Sequence, residues 1–289
     1  MNLCNIRDVK SLLSRHGFRF SKSMGQNFLV ADWVPREIAA ACGASDAYGV
    51  LEVGPGIGPL TRELCERAAQ VVSIELDQSL YPVLSETLAD CPNFTLVPGD
   101  VLQLDLPALL DQQLPGLPVL ACANLPYNIT TPALRALVEA DRFESITVMI
   151  QKEVAQRAAA RPGTSDYGAF SVYMQYYTQP ELLFDVPPDC FLPAPKVTSA
   201  VVHCKALTAP PVAFSCGEPF FFRTVRAAFA LRRKTLRNSM ASAFALDRDR
   251  AAAVLETVGL PPTVRGEELG LPELAALADC LWRELPEVR

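Results

Sequence analysis

Four consecutive residues, Asn124-Leu125-Pro126-Tyr127, carry groups that can hold a nucleobase by its amino group. The Asn124 side chain and a neighbouring backbone carbonyl offer two acceptors, the proline restricts the turn, and Tyr127 offers an aromatic face. An apolar run at residues 118–123 precedes them and predicts a buried strand that ends at this loop. Together the four residues could grip a flipped adenine. The alternative is an ordinary turn, in which Asn and Pro supply local bonding and a fixed φ.

A glycine-rich turn at residues 54–58 predicts a second binding element. It follows an apolar strand pattern and enters a helix, a place where backbone approaches a ligand closely. A dinucleotide fingerprint needs a third glycine, but that position holds Pro59 when counted from Gly54 and Thr61 when counted from Gly56. The spacing therefore argues against NAD.

Two acidic residues follow the next two predicted strands. Glu75 ends the second strand, where its carboxylate can accept both ribose hydroxyls of NAD or of S-adenosylmethionine. Asp100 follows the third strand, where it can accept from an adenine amino group. Each alone could be a surface carboxylate. Because ligands of open α/β sheets bind at the carboxyl ends of strands, three consecutive strand ends with suitable residues favour a binding site.

The strand and helix patterns predict an α/β fold with a mainly parallel sheet. Strands are expected at residues 49–53, 71–75, 94–98, 119–123, 146–150, 182–186 and 199–204. Helices are expected near 61–69, 78–89, 132–140, 152–160 and 167–177.

A composition shift predicts two domains. Residues 206–211 read as a linker, which sets a catalytic domain at 1–205 and an all-helical domain at 206–289. The second domain has helical patterns at 219–230, 234–243, 247–258 and 272–285.

The overall charge of −6 and the pI near 5.1 count against a nucleic-acid partner, but basic residues cluster in two places. The first cluster is Arg7, Lys10, Arg15, His16, Arg19 and Lys22, and the second is Arg223, Arg226, Arg232, Arg233, Lys234 and Arg237. Such runs are commonly solvated helix faces; two of them beside other informative residues favour RNA binding by the second cluster.

Composition also indicates the setting in which the chain works. Half of the 289 residues are apolar, which predicts a globular protein, and no apolar run is long enough to span a membrane. The amino terminus lacks the apolar region of a signal peptide, so we expect a cytoplasmic protein. We also expect a monomer. The nine cysteines include no Cys-x-x-Cys pair, which favours free thiols and no structural zinc.

Eight segments together resemble the KsgA-type rRNA adenine N6,N6-dimethyltransferases, from about residue 10 to the carboxyl end. They are Gly25-Gln26-Asn27-Phe28-Leu29, residues 51–56, residues 74–77, Gly99-Asp100-Val101, Asn124-Leu125-Pro126-Tyr127, residues 151–155, residues 191–197 and residues 232–238.

The resemblance implies a class I methyltransferase (Rossmann-like) fold, S-adenosylmethionine as methyl donor and a small helical carboxyl-terminal domain that docks RNA. It implies that the cofactor pocket is lined by Gln26, Asn27, Leu29, Gly54, Gly56, Glu75, Asp100, Val101 and Asn124. It also implies a substrate of two adjacent adenines in the 3′-terminal hairpin of 16S rRNA, within an assembling small ribosomal subunit.

The chemistry expected at the adenine needs acceptors, because the lone pair of N6 is delocalised into the ring. The Asn124 side-chain oxygen and the Leu125 or Pro126 carbonyl are expected to accept the N6 protons and direct the lone pair along the methyl–sulfur bond. Tyr127 and Phe191 are expected to stack on the base; the alternative makes both of them core residues. Neither a cysteine nucleophile nor a metal is expected.

Three alternatives stay open from the sequence. A macrolide-resistance methyltransferase would modify 23S rRNA with the same catalytic core, although residues 232–238 and the acidic pI resemble the small-subunit enzymes more closely. A chiefly non-catalytic assembly factor would bind the immature small subunit. A Rossmann dehydrogenase is disfavoured by the missing third glycine.

Overall fold

The computed structural model describes residues 1–20, 25–231 and 233–285. The strands are β1 (Phe28–Leu29), β2 (Gly49–Val53), β3 (Gln70–Glu75), β4 (Phe94–Pro98), β5 (Val119–Asn124), β6 (Phe143–Gln151), β7 (Thr178–Val186), β8 (Phe191–Leu192) and β9 (Ser199–Ala206). The helices are α1 (Ile6–Arg15), α2 (Trp33–Cys42), α3 (Pro59–Cys65), α4 (Tyr81–Thr87), α5 (Leu106–Gln113), α6 (Thr130–Glu139), α7 (Lys152–Ala159), α8 (Ala169–Tyr177), α9 (Glu218–Phe229), α10 (Leu236–Ala243), α11 (Arg248–Thr257) and α12 (Leu271–Glu284).

The chain divides into two compact units. The first contains Met1–Ala155 and Glu181–Ala206, and the second contains Gln156–Pro180 and Leu207–Arg289. The sequence predicts one domain at residues 1–205. In the structure, Gln156–Pro180 groups with the second, helical unit. The reason is contact between segments that are distant in sequence: the Gly163 N–H donates to the Glu267 carbonyl at 2.7 Å, and α8 packs against α9.

Within the described residues, seven strands form one sheet in the order β4-β3-β2-β5-β6-β9-β7. Neighbouring strands from β4 to β6 are parallel, and β9 runs antiparallel to β6. The chain leaves β2 for β3 on one side and reaches β5 on the other. The carboxyl ends of β2 and β5 therefore flank a topological switch point, where open α/β sheets bind ligands.

The parallel strands follow from near-continuous apolar runs that are covered on both faces. All five residues of β2 are buried, as are Val119 to Ala123 of β5.

Each strand predicted from the sequence overlaps an observed one, and the mixed α/β sheet is confirmed. Helices α1, α2 and α5 were not predicted. The small antiparallel pair of β1 and β8 places Leu29 opposite Phe191.

The second unit is a helical assembly around an aromatic core. Phe221 of α9 is fully buried and stacks on Phe214 with ring centroids 4.6 Å apart. Tyr176 of α8 contacts the same ring at 5.5 Å, which explains why α8 belongs to this unit. None of the helices in the described ranges is long and apolar enough to cross a membrane.

Candidate active site

The glycine turn (residues 54–58) joins β2 to α3 with a backbone that favours glycine. Gly54, Gly56 and Gly58 all have positive φ, at 69°, 61° and 92°. A Cβ on Gly56 would also lie 3.2 Å from Cδ1 of Phe28. The turn is closed by the Gly58 N–H, which donates to the Pro55 carbonyl at 2.9 Å. This geometry brings bare backbone to the carboxyl end of β2, where a ligand can approach closely.

The Glu75 carboxylate lies beside this turn at the end of β3. It is 7% exposed and accepts from the Asp77 N–H at 2.8 Å and from the Gly56 N–H at 3.4 Å. Burial raises the pKa of Glu75, and these backbone hydrogen bonds oppose the rise. The carboxylate is thus held in one place, where it can accept from ligand hydroxyl groups.

Asp77 follows Glu75 by two residues and is a further polar residue of the site. It accepts from the Gln26 side chain at 2.6 Å and from the Ser79 N–H at 3.0 Å. Burial alone would raise the pKa of Asp77, but these hydrogen bonds from Ser79 and Gln26 lower it below its usual value. The Gln26 amide is thereby oriented toward the end of β3.

Asp100 starts the loop after β4 and is fixed by its own turn. One carboxylate oxygen accepts from the Leu102 N–H at 2.9 Å, and its backbone carbonyl accepts from Gln103 and Leu104. The second carboxylate oxygen can accept from a ligand amino group. The neighbouring Val101 is 4% exposed and supplies an apolar surface beside it.

The Asn-Leu-Pro-Tyr motif (residues 124–127) forms the loop between β5 and α6. Asn124 donates its side-chain N–H to the Asn27 carbonyl at 3.4 Å, and the Leu125 N–H donates to the Met149 carbonyl at 3.1 Å. The Pro126 carbonyl accepts from the Ile129 N–H at 3.2 Å and from the Thr130 hydroxyl at 3.2 Å. With both of its lone pairs engaged, Pro126 is the poorer of the two backbone acceptors considered. The Leu125 carbonyl is the better one.

The two aromatic side chains of the site differ in exposure. Tyr127 is partly buried, and its hydroxyl lies 2.7 Å from Oγ of Ser199. Burial raises the pKa of Tyr127, and the bond to Ser199 opposes the rise. Phe191 is 4% exposed and packs in the core with Leu29 and Val186. Only a small part of the Phe191 ring is open to a ligand as it stands.

One cleft of the first unit collects the predicted residues. It holds about 1090 Å³ free of protein atoms, part of it open to solvent. Its lining includes Gln26, Asn27, Leu29, Gly54, Gly56, Glu75, Asp100, Val101, Asn124, Leu125, Pro126, Tyr127 and Phe191. Asp77 and Asn128 also line it. The ends of four parallel strands meet here, which explains why residues far apart in sequence share one space.

The cleft fits the chemistry of S-adenosylmethionine. Gly56 brings bare backbone to the cleft beside Glu75, the Glu75 carboxylate offers acceptors for ribose hydroxyls, and Asp100 offers one for an adenine amino group. Val101 and Ile57, which are both buried, add apolar side chains to the lining. Among the described residues, no group of His, Cys, Asp or Glu is arranged to hold a metal ion.

Glu52 is a charged residue of the cleft that the sequence did not single out. It lies within β2, is 1% exposed, and accepts from the Ser73 hydroxyl at 2.6 Å and the Thr61 hydroxyl at 2.8 Å. Burial raises the pKa of Glu52 to about 7, against the effect of these hydrogen bonds. The sequence feature that identifies Glu52 is a charged residue within an apolar strand, just before the glycine turn.

The basic residues of the second unit are presented in different ways. Arg226, Arg233 and Lys234 are exposed, whereas Arg237 is partly buried. The Arg223 guanidinium carbon lies 4.9 Å from the Phe244 ring centroid, a cation–π contact. Arg232 lies outside the described residues. Helix α10 begins at Leu236, so Arg233 and Lys234 precede it rather than forming its first turn.

The amino-terminal basic cluster is partly neutralised. Arg15 and His16 both contact the Glu86 carboxylate, at 2.5 Å and 2.7 Å. These contacts tie the end of α1 to α4 and lower the pKa of Glu86. Arg7, Lys10 and Arg19 are exposed, and Lys22 lies outside the described residues.

All nine cysteines are free thiols.

Fold and cleft together define the class: a methyltransferase with a Rossmann-like sheet. The 23S rRNA methyltransferase ErmE has a similar structure, with a TM-score of 0.68 and 28% identity over 88% of this chain and 99% of that one. A dimethyladenosine transferase from Plasmodium falciparum shares the fold, with a TM-score of 0.71 at 22% identity over 88% of this chain and 96% of that one.

The sequence comparisons narrow the class to one family. The profile of the ribosomal RNA adenine dimethylase family matches residues 17–266. Proteins named ribosomal RNA small subunit methyltransferase A from Streptococcus pneumoniae and Clostridium perfringens are each 43% identical, over 97% of this chain and 98% of theirs. The chain belongs to the ribosomal RNA adenine dimethylase family, as its resemblance in sequence had indicated.

Proposed function

We propose that the protein transfers methyl groups to N6 of two adjacent adenines in the 3′-terminal hairpin of 16S rRNA. One observation carries the proposal: Asn124 and Leu125 line the same cleft as the glycine turn. The relatives at 43% identity are named for the small subunit, which supports that substrate over others.

S-adenosylmethionine supplies an electrophilic methyl group when it is bound. The residues that would hold it are those of the glycine turn together with Gln26, Asn27, Leu29, Glu75, Asp100 and Val101. The Glu75 carboxylate would accept from the ribose hydroxyls, and one oxygen of Asp100 would accept from the adenine amino group of the donor. Asn124 closes this side of the cleft through its bond to Asn27.

The substrate adenine needs two acceptors for its amino group. The Asn124 oxygen and the Leu125 carbonyl accept hydrogen bonds from the two N6–H groups, which favours a pyramidal nitrogen with a localised lone pair. Asn124 serves as acceptor because its N–H group is engaged by the Asn27 carbonyl. Pro126 is the weaker candidate because its carbonyl already accepts from Ile129 and Thr130.

Dimethylation requires the same site to act twice. The first transfer replaces one N6 hydrogen with a methyl group, and the released proton leaves to solvent. The nitrogen then keeps one proton, so one of the two hydrogen bonds is lost. Base stacking then contributes more of the orientation. The Tyr127 ring provides the main stacking face, and Phe191, which is 4% exposed, adds an apolar wall.

The helical unit binds RNA through exposed basic residues. Arg226, Arg233 and Lys234 present their charges to solvent, where they can contact phosphates. Arg223, Arg237 and Arg232 belong to the same proposed surface. These contacts position the RNA, while the shape of the folded ribosomal target selects the bases.

A second candidate is methylation of 23S rRNA, favoured by the structural similarity to ErmE. An assembly role on the small subunit is compatible with catalysis. The deciding experiment incubates the protein with labelled S-adenosylmethionine and either small or large subunits that lack the modification. Label in the small subunit supports the proposal. Label in the large subunit alone would contradict it, and binding of small subunits without transfer would leave only the assembly role.

A further inference from the structure

Ser199 contacts Tyr127, a residue of the cleft lining, and is not among the residues proposed to bind the cofactor or the adenine. It is the first residue of β9, sits opposite Gln151 of β6 and is 1% exposed. Residues 193–198 connect it to β8, which carries Phe191. The Lys152 N–H donates to the Thr198 carbonyl at 3.0 Å and fixes the residue just before it. Ser199 is therefore part of a rigid strand start.

The Ser199 hydroxyl reaches the far end of the Tyr127 side chain. The two oxygens are 2.7 Å apart, although 72 residues separate them along the chain. The backbone of Tyr127 belongs to the loop after β5, and its phenol end is tied to β9. A ring held at both ends has few alternative positions. A buried hydroxyl such as that of Ser199 also needs a partner, which the phenol provides.

A ring fixed in advance is a better stacking face than a mobile one. Ordering a side chain when substrate binds costs free energy, and a ring that is already in place avoids part of that cost. The effect grows when the base amino group has lost a proton to methylation, since fewer hydrogen bonds then orient the base.

We propose that Ser199 is a positioning residue, which holds the Tyr127 ring in place for the adenine and matters most in the second methyl transfer. The proposal rests on the proposed function, because it requires Tyr127 to stack on the substrate base. Ser199 acts through Tyr127 and makes no contact with the reacting atoms.

The test compares Ser199→Ala, Ser199→Thr, Tyr127→Phe and the double variant Ser199→Ala/Tyr127→Phe. Thr147→Val is the matched control, since it removes a buried hydroxyl of β6 that contacts His203 and does not line the cleft. Thermal unfolding of every variant separates a loss of fold from a loss of positioning. Each is assayed with undermethylated small subunits for the rates of mono- and dimethyladenine formation and for the KM of S-adenosylmethionine.

We expect Ser199→Ala to slow the second transfer roughly tenfold, the effect of one hydrogen bond, and to accumulate monomethyladenine. The KM for S-adenosylmethionine should stay within about twofold, and Ser199→Thr should restore most of the rate. Ser199→Ala and Tyr127→Phe remove the same bond, so the double variant should be no slower than the slower single one.

Two results would overturn the proposal in distinguishable ways. If the wild-type protein methylates small-subunit adenines and Ser199→Ala matches it, or if the two substitutions are fully additive, the positioning role is wrong and the proposed function stands. If the wild-type protein methylates no small-subunit adenine, both fail together.

Discussion

The side-chain amide nitrogen of Asn124 lies 3.4 Å from the backbone carbonyl oxygen of Asn27 and donates to it. This bond joins the end of β5 to the segment before β1 across the cleft. It also decides how Asn124 can act. Because the nitrogen is engaged, the side-chain oxygen remains to accept a hydrogen bond from an adenine amino group.

Replacing Asn124 with Ala removes this acceptor, and we expect transfer to fall at least about 100-fold, as when one preorganised polar group is deleted from an active site. Binding to small subunits should change little, because other residues contact phosphates. Single-turnover methylation and subunit binding measure the two effects separately. Transfer at the wild-type rate would exclude Asn124 from the chemistry.

Glu75 is predicted to control the affinity for S-adenosylmethionine. Glu75→Ala removes the acceptors for two ribose hydroxyls and should weaken binding by at least about 100-fold, since each hydrogen bond to a charged group contributes a net free energy of about 1.5–3 kcal/mol. Titration calorimetry with the cofactor alone measures the change. Glu144→Gln is the control: this exposed carboxylate bonds Tyr48 and does not line the cleft. Equal affinities for Glu75→Ala and the control would refute the assignment.

Glu52 predicts a specific dependence of stability on pH. Burial raises its pKa from 4.5 to about 7, so the protonated form is favoured in the folded protein. The stability it contributes is fully present below about pH 4.5 and is lost as the pH rises through about 7. The side chain of Glu52→Gln cannot ionise. The free energy of unfolding of this variant should therefore rise relative to that of the wild type, by up to about 3 kcal/mol, as the pH increases over that range. Urea unfolding at several pH values measures the difference, and a constant difference would contradict the buried-acid account.

Arg233 is predicted to contact RNA phosphate. Arg233→Ala should weaken RNA binding and reduce the slope of log affinity against log salt by about 1. Arg248→Ala provides the matched control, because Arg248 is exposed in the same unit but outside the basic cluster. If the two variants show the same slope as wild type, the cluster is a solvated face.

Much of the cleft could be predicted from sequence because its residues follow strands with strong apolar patterns. The carboxyl ends of parallel strands meet at one edge, so Gly54, Glu75, Asp100 and Asn124 had to lie near each other once the strands were correctly identified. The site thus follows from local patterns and one topological rule.

The remaining features depend on contacts between distant segments, which local patterns do not encode. Nothing near Pro126 in sequence shows that its carbonyl is engaged in the α6 turn, and nothing near Tyr127 identifies Ser199 as its partner. The burial of Phe191 depends on the pairing of β1 with β8. The assignment of Gln156–Pro180 to the helical unit depends on side chains of α9.

Mapping the modified bases shows directly whether this cleft dimethylates adenines of the small subunit. Undermethylated small subunits are incubated with the protein and S-adenosylmethionine, the 3′-terminal fragment of 16S rRNA is excised, and its nucleosides are identified by mass spectrometry. We expect two adjacent N6,N6-dimethyladenines in the terminal hairpin with wild-type protein and none with Asn124→Ala. An unmodified hairpin after treatment with the wild-type protein would contradict it.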